Sequence, residues 1–121
     1  MEWKFQNDRP IYTQIMGQIE KAVVSGVFSP GDRLPGVREL AANAGVNPNT
    51  MQRALAELEM KGLLQAQRTS GRFVTEDAAH IVSLREELAV AATGEYWSSM
   101  CALGCSSEEI EAYVKREKEG N

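Results

Sequence analysis

The fold is decided by residues 37–62, which read VRELAANAGVNPNTMQRALAELEMKG. The first part of this stretch carries an apolar stripe at helical spacing, which predicts a short helix over about residues 37–44. The stripe consists of Val37, Leu40, Ala41 and Ala44. Gly45 follows it and can adopt the left-handed backbone conformation that a sharp corner needs. Asn47 and Pro48 then open another helix, because asparagine caps helix starts and proline fits the first helical position.

This second helix has its own apolar stripe, formed by Met51, Leu55 and Leu58, and it ends at Lys61-Gly62. Two helices joined by residues 45–47 form a helix-turn-helix pattern. Short helix pairs are also common as plain structural elements, so the pattern alone is only moderately specific for a DNA-binding protein.

Another helix precedes the pair. Apolar residues recur every four positions and predict an amphipathic helix over about residues 11–25. They are Ile11, Ile15, Ile19 and Val23. Pro10 at its start and Gly26 after its end fit helix boundaries. Residues 29–32, Ser-Pro-Gly-Asp, predict a type II turn with proline and glycine at the two central positions.

A β-hairpin is predicted directly after the helix pair. Residues 63–67 and 72–75 have strand-like sequences, and residues 68–71, Arg-Thr-Ser-Gly, predict the turn between them. A hairpin in this position makes the unit a winged helix. The wing carries Arg68 and Arg72, where a DNA backbone or minor groove would lie. The alternative interpretation is a hairpin whose arginines are simply solvated.

The polar face of the helix that Pro48 begins is the candidate recognition surface. Gln52 can pair bidentately with adenine, and Arg53 can pair with guanine or hold a phosphate. Further candidates lie near the starts of the two helices, where side chains and free N–H groups suit phosphate. They are Arg38, Asn47, Asn49 and Thr50. Each residue taken alone could be an ordinary solvated polar group, and it is their joint placement that favours DNA.

The last third of the sequence predicts two more helices. Asp77 can cap a long helix over about residues 78–103, and Ser106 with Glu109 fits a capping box for a final helix over about 107–118. The final helix is expected to turn Ile110, Tyr113 and Val114 inward. Two apolar helices need a partner surface, and a second copy of the chain is the preferred one. The alternative is that they complete a monomeric core. The expected dimer contacts are Ile81, Leu84, Leu88, Tyr96, Met100 and Leu103.

Charge is distributed unevenly along the 121 residues. Residues 1–75 hold nine Lys/Arg and seven Asp/Glu, a net of +2, whereas residues 76–121 hold four and ten, a net of −6. Such asymmetry often separates a nucleic-acid-binding part from another part. The overall net charge of −4 argues against a nucleic-acid partner, so DNA binding is inferred from the motifs and not from the charge.

Several other classes of protein are disfavoured. No apolar run is long enough to span a membrane and no signal peptide is evident, so a cytoplasmic protein without a membrane partner is expected. His80 is the sole histidine, and no catalytic constellation or phosphate-cradling loop is present. Cys101 and Cys105 lack the spacing of a zinc site and are expected to be buried thiols rather than metal ligands or redox sensors. We therefore expect no enzyme activity, no metal and no cofactor.

Six runs of residues at fixed spacing carry a family resemblance. They are Ile11-Tyr12-x-Gln14-Ile15, Gly26-x-x-x-Pro30-Gly31-Asp32-Arg33-Leu34-Pro35, Val37-Arg38-Glu39-Leu40-Ala41, Gly45-Val46-Asn47-x-Asn49-Thr50, Arg53-Ala54-x-x-x-Leu58-Glu59-x-x-Gly62-Leu63 and Gly71-x-Phe73-Val74. Together they resemble the winged-helix domain of GntR-family bacterial transcription regulators over about residues 9–75. The short helical tail resembles the YtrA-type branch, in which the tail is associated with dimerisation.

The resemblance implies a homodimeric repressor that binds a two-fold symmetric operator. It adds Pro48 and the wing around Gly71 to the DNA-contacting positions named above. Gly36 stands where the family commonly has serine, and Thr69 where glycine is common. Pro48 occupies a position at which some members carry a base-contacting arginine, which places sequence recognition on Gln52 and Arg53.

The prediction is therefore a mainly α protein with a small β-wing. Residues 1–75 form a winged helix-turn-helix DNA-binding domain and residues 76–121 a helical dimerisation region. Its function would be sequence-specific regulation of transcription on double-stranded DNA. Two alternatives stay open. One is an effector-gated sensor with a small ligand at the dimer interface. The other is a winged helix that binds a protein partner instead of DNA.

Overall fold

The computed structural model describes residues 1–120, and this range contains five helices and one antiparallel hairpin. The elements in chain order are α1 (Ile11–Val24), α2 (Val37–Ala44), α3 (Pro48–Met60), β1 (Leu64–Gln67), β2 (Gly71–Val74), α4 (Ala78–Ala102) and α5 (Ser107–Glu119). This order confirms the expected fold class, a winged helix-turn-helix followed by two helices. The predicted helix bounds agree with the observed ones to within a residue or two.

The chain forms two compact units, Met1–Arg85 and a second that begins at Glu86. The division lies inside α4, beyond the expected domain boundary after residue 75. Ile81 and Leu84, in the first turns of α4, pack against the hydrophobic core of the first unit. The first unit therefore includes the start of α4.

The core of the first unit is formed where α1, α2, α3 and the hairpin meet. Ile15 and Ile19 of α1, together with Met51 and Leu58 of α3, have no exposed surface. Leu40 of α2 is buried in the same cluster. Burying a large aliphatic side chain contributes ~1.5–3 kcal/mol. This shared core fixes the apolar side of α3, and it leaves the opposite side to solvent.

The hairpin is extended by the segment that precedes α2. Leu64 pairs with Val74 and Gln67 with Gly71 in the β1–β2 ladder. On the outer edge of β2, the Val74 amide donates to the Asp32 carbonyl at 2.8 Å, and the Leu34 amide donates to the Arg72 carbonyl at 2.9 Å. Because β2 is paired on both edges, the base of the wing is held firmly to the rest of the unit.

Two glutamines of α1 hold the N-terminal segment against the helix. The Gln14 side-chain oxygen accepts from the Gln6 amide at 2.8 Å, and its Nε2 donates to the Gln6 carbonyl at 2.9 Å. Gln18 makes the same pair of hydrogen bonds with Lys4, at 3.1 and 2.7 Å. Each side-chain amide thus makes the two hydrogen bonds that the backbone of a neighbouring β-strand would make. The periodicity of α1 gives no sign of these contacts, because the glutamines bond to a segment outside the helix.

The second unit contains most of α4 and all of α5. The expected capping box is confirmed, since the Ser106 Oγ accepts from the Glu109 amide and the Glu109 carboxylate accepts from the Ser106 amide. Ile110 is buried, but Tyr113 and Val114 are about half exposed, so the expectation that all three turn inward was wrong. Two helices present more apolar surface than they can cover by themselves.

The helix α4 has no fully buried residue along its 25 residues. Cys101 is exposed and Cys105 is half-buried, both as free thiols, so the expectation of buried thiols was wrong for Cys101. Cys101 is exposed because, among residues 86–120, no other element of the second unit packs over this part of α4.

Among residues 1–120, no helix combines the length and the apolar character needed to cross a membrane.

Candidate nucleic-acid interface

The corner between α2 and α3 sets the direction of the candidate recognition helix. Gly45 adopts a left-handed conformation with φ of 71°, and the Val46 amide donates to the Ala41 carbonyl at 3.0 Å. The Asn47 side-chain oxygen then accepts from the Asn49 amide at 2.7 Å, with Pro48 at the first helical position. These are the turn and cap that the sequence predicted. They end α2 and start α3 within three residues.

The outer face of α3 carries the predicted DNA-contacting side chains. Asn49, Gln52 and Arg53 are exposed, and Thr50 is half-buried. The first three share one face through their i, i+3, i+4 spacing. The opposite face is buried, with Met51, Ala54, Leu55 and Leu58 at 1% exposure or less. A rigidly anchored helix with a free polar face is the arrangement that major-groove recognition requires.

Arg53 has a contact that the sequence did not indicate. Its guanidinium carbon lies 3.7 Å from the centre of the Tyr12 ring, which belongs to α1. Tyr12 is half-buried and packs against the core cluster. The apolar spacing of α1 places Tyr12 beside the stripe, but nothing in its local sequence points to α3.

The tip of the wing is held by Arg33, which was not among the predicted site residues. Arg33 Nε donates to the Ser70 carbonyl at 2.6 Å, and a Cβ at Gly71 would lie 3.2 Å from the same nitrogen. Gly71 has a φ of 102°, which side chains rarely adopt. Glycine at this position therefore permits both the turn and the close approach of Arg33.

The two predicted wing arginines have different environments. Arg68 is exposed in the hairpin turn. Arg72 forms an ion pair with Glu59 of α3, and only 18% of its side chain is exposed. Its guanidinium is thus engaged within the protein, which favours a structural role for Arg72 over the expected DNA contact. Arg38 is exposed on α2.

The expected dimer contacts also divide into two groups. Ile81 and Leu84 pack on the core of the first unit, as described above. In the second unit, Leu88 and Met100 are half-buried, whereas Tyr96 and Leu103 are exposed by 42% and 77%. Trp97, which lies beside Tyr96, is exposed by 40%.

The family model described as "Bacterial regulatory proteins, gntR family" matches residues 11–74, the winged-helix elements from α1 to β2. This range includes every residue of the candidate interface.

Relatives extend the similarity along the chain. An uncharacterized HTH-type transcriptional regulator of Bacillus subtilis, YhcF, is 38% identical over 99% of both chains. The B. subtilis HTH-type transcriptional repressor YtrA is 41% identical over 60% of this chain and 56% of its own length. A solved GntR family transcriptional regulator from Listeria monocytogenes superposes with a TM-score of 0.85 at 41% identity, covering 93% of this chain and 98% of the other. These relatives are regulators of transcription rather than enzymes, and the chain belongs to the GntR family of bacterial transcriptional regulators.

Proposed function

We propose that this chain is a homodimeric repressor that binds an inverted-repeat operator, with α3 in the major groove of each half-site. The observation that carries the proposal is the division of α3 into two faces. One face is sealed in the core, and the other presents Asn49, Gln52 and Arg53 to solvent. Glutamine and arginine are the side chains that pair bidentately with adenine and guanine in the major groove.

Contacts with the DNA backbone would surround this central helix. The exposed Arg68 extends from the wing, and the exposed Arg38 lies on α2. Asn47, Pro48 and Thr50 lie at the start of α3, where backbone amides favour phosphate oxygens. Because Gly71 has no side chain, the backbone of the wing could approach DNA closely at this position. Arg72 would position the wing through Glu59 instead of contacting DNA itself.

The surface of the second unit supports dimerisation. Val90 and Trp97 on α4, and Leu103 directly after the end of α4, are exposed by 65%, 40% and 77%. Exposed large apolar side chains that gather on one part of a surface mark interaction sites. A second copy is the occupant that gives a DNA-binding dimer with two-fold symmetry. The net charge of −6 over residues 76–121 would keep this part away from DNA phosphates.

Repression is the mode favoured by the relative YtrA, which is named a transcriptional repressor. A compact dimer that occupies an operator can block transcription without any further domain. Similarity to this relative therefore suggests repression. The geometry of α3 supports operator binding by a repressor and by an activator alike.

The proposal is tested by selecting from a random double-stranded DNA pool with the full chain at near-physiological salt, followed by sequencing of the retained DNA. We expect an enriched inverted repeat whose half-sites lie about one helical turn apart, or a multiple of it. Binding that depends on salt but enriches no sequence would contradict the proposal. The winged helix would then either need a small-molecule effector to bind DNA or bind a protein partner instead.

A further inference from the structure

We propose that Tyr12 is a positioning residue, which holds the Arg53 guanidinium ready for contact with DNA. The inference rests on the proposed function, since it assigns a role to a residue that supports the recognition helix from α1. Its starting point is the stack of the Arg53 guanidinium on the Tyr12 ring, at 3.7 Å from carbon to ring centre.

The ring provides a fixed platform. Tyr12 lies one residue after the start of α1, and its half-buried ring packs against the core that anchors both α1 and α3. Arg53, by contrast, is exposed. A guanidinium is attracted to the negative face of an aromatic ring. The long side chain of Arg53 is therefore restrained at its charged end, on the outside of the protein.

The stack leaves the hydrogen-bonding capacity of Arg53 available. All five guanidinium N–H donors lie in the plane of the group, so a ring against its face leaves the donors at its edge. Acceptors on DNA, whether guanine O6 and N7 or a phosphate oxygen, would approach this edge. A restrained side chain loses less conformational freedom on binding than a free one, which strengthens association.

Two other arginines of the first unit use their N–H donors within the protein. Arg72 directs its Nε to the Glu59 carboxylate, and Arg33 directs its Nε to the Ser70 carbonyl. In both cases the contact with the protein uses the donors themselves. Arg53 is instead restrained through its face, and it lies next to Gln52 on the exposed side of α3. The restraint therefore suits a group that must still donate to a partner.

A double-mutant cycle with the selected operator tests the proposal. Tyr12→Leu removes the aromatic face and is expected to weaken operator binding about 5- to 25-fold, because a dimer carries the contact twice. Tyr12→Phe keeps the face and should change the affinity by less than about 2-fold. In an Arg53→Ala background, Tyr12→Leu should cause no further loss, since the group that the ring positions is then missing.

The contacted DNA group is distinguished in the same titrations. If Arg53 contacts guanine, Tyr12→Leu weakens the preference at one symmetric pair of operator positions. If it contacts phosphate, the loss is equal for all sequences, and Arg53→Ala lowers the slope of affinity against salt because it removes the cation that contacts the phosphate.

Several outcomes would overturn the proposal. Additive effects of the two substitutions would mean that Tyr12 acts independently of Arg53. Tighter binding by Tyr12→Leu would mean that the ring withholds the guanidinium from DNA. A loss in Tyr12→Phe as large as in Tyr12→Leu would assign the effect to the hydroxyl group.

Thermal melting checks that each variant is folded, and Tyr12→Met, which also fills the space, replaces Tyr12→Leu if the latter unfolds. Failure here is separable from failure of the proposed function. If the chain binds its operator through Gln52 but the effects of Tyr12→Leu and Arg53→Ala are additive, the role of Tyr12 is wrong and the proposed function still holds. A wild-type chain that selects no operator overturns the proposed function itself.

Discussion

Arg72 of strand β2 and Glu59 near the end of α3 form an ion pair that joins the wing to α3. Their side chains are only 18% and 28% exposed, so water screens the pair less than it would an ion pair on the surface. Arg33 holds the tip of the same wing through the Ser70 carbonyl. The orientation of the wing relative to α3 is thus determined within the protein, before any DNA is bound.

The ion pair makes Arg72 and Arg68 behave differently on substitution. Glu59→Gln or Arg72→Ala should destabilise the first unit by ~1–3 kcal/mol, because each leaves a half-buried charge without its partner. That corresponds to a fall in Tm of roughly 5–15 °C, measured by circular dichroism. Arg68→Ala is the matched control on the exposed turn, and it should leave Tm unchanged while weakening binding to DNA of any sequence. Equal Tm values for the Arg68 and Arg72 variants would contradict this assignment.

The corner between α2 and α3 depends on the backbone of Gly45. Gly45→Ala forces a side chain into the left-handed region at φ of 71° and should cost ~1–2 kcal/mol. Gly17→Ala is the control, since Gly17 lies inside α1 with nothing within 4 Å of its added Cβ. That change should stabilise the protein by ~1 kcal/mol through helix propensity. Urea unfolding of both variants measures the two values, and the prediction fails if they have the same sign.

The capping side chain of Asn47 can be tested separately. Asn47→Ala removes the acceptor of the Asn49 amide, and it should cost ~1 kcal/mol. Asn43→Ala, on the exposed side of α2, should be nearly neutral. If the Asn47 change proved equally neutral in chemical denaturation, the cap would contribute nothing to the start of α3.

Dimerisation through the second unit predicts a dependence on exposed apolar residues of that unit. Leu103→Glu places a charge on a side chain that is 77% exposed, so it should have little effect on a folded monomer. In sedimentation experiments the wild-type chain should have twice the monomer mass, and Leu103→Glu should shift it toward the monomer. Val27→Glu, which alters a 62% exposed residue of the first unit, should remain dimeric. A wild-type monomer at micromolar concentration would contradict this interface.

Local signals in the sequence were sufficient for most of the fold. The apolar period of α1, the Asn47-Pro48 start of α3 and the Ser106–Glu109 capping box each depend on residues a few positions apart, and all three were confirmed. The exposed polar face of α3 follows from the same periodicity, because a buried stripe leaves its opposite side outside.

Contacts between distant segments were not predictable in this way. Tyr12 and Arg53 meet only because α1 packs beside α3, and Arg33 meets Ser70 only because residues 31–34 extend the hairpin. The burial of Arg72 likewise requires Glu59 from another element. The inward orientation expected for Tyr113 and Val114 failed because helical periodicity gives the apolar face but not whether a neighbour covers it.

Recognition of bases by the exposed face of α3 is tested by repeating the DNA selection with Gln52→Ala beside the wild-type chain. We predict that both enrich the same inverted repeat, and that the variant loses its preference at one symmetric pair of positions, equivalent to ~1–3 kcal/mol per contacted base pair. An identical base preference at every position in the two selections would mean that Gln52 does not recognise a base.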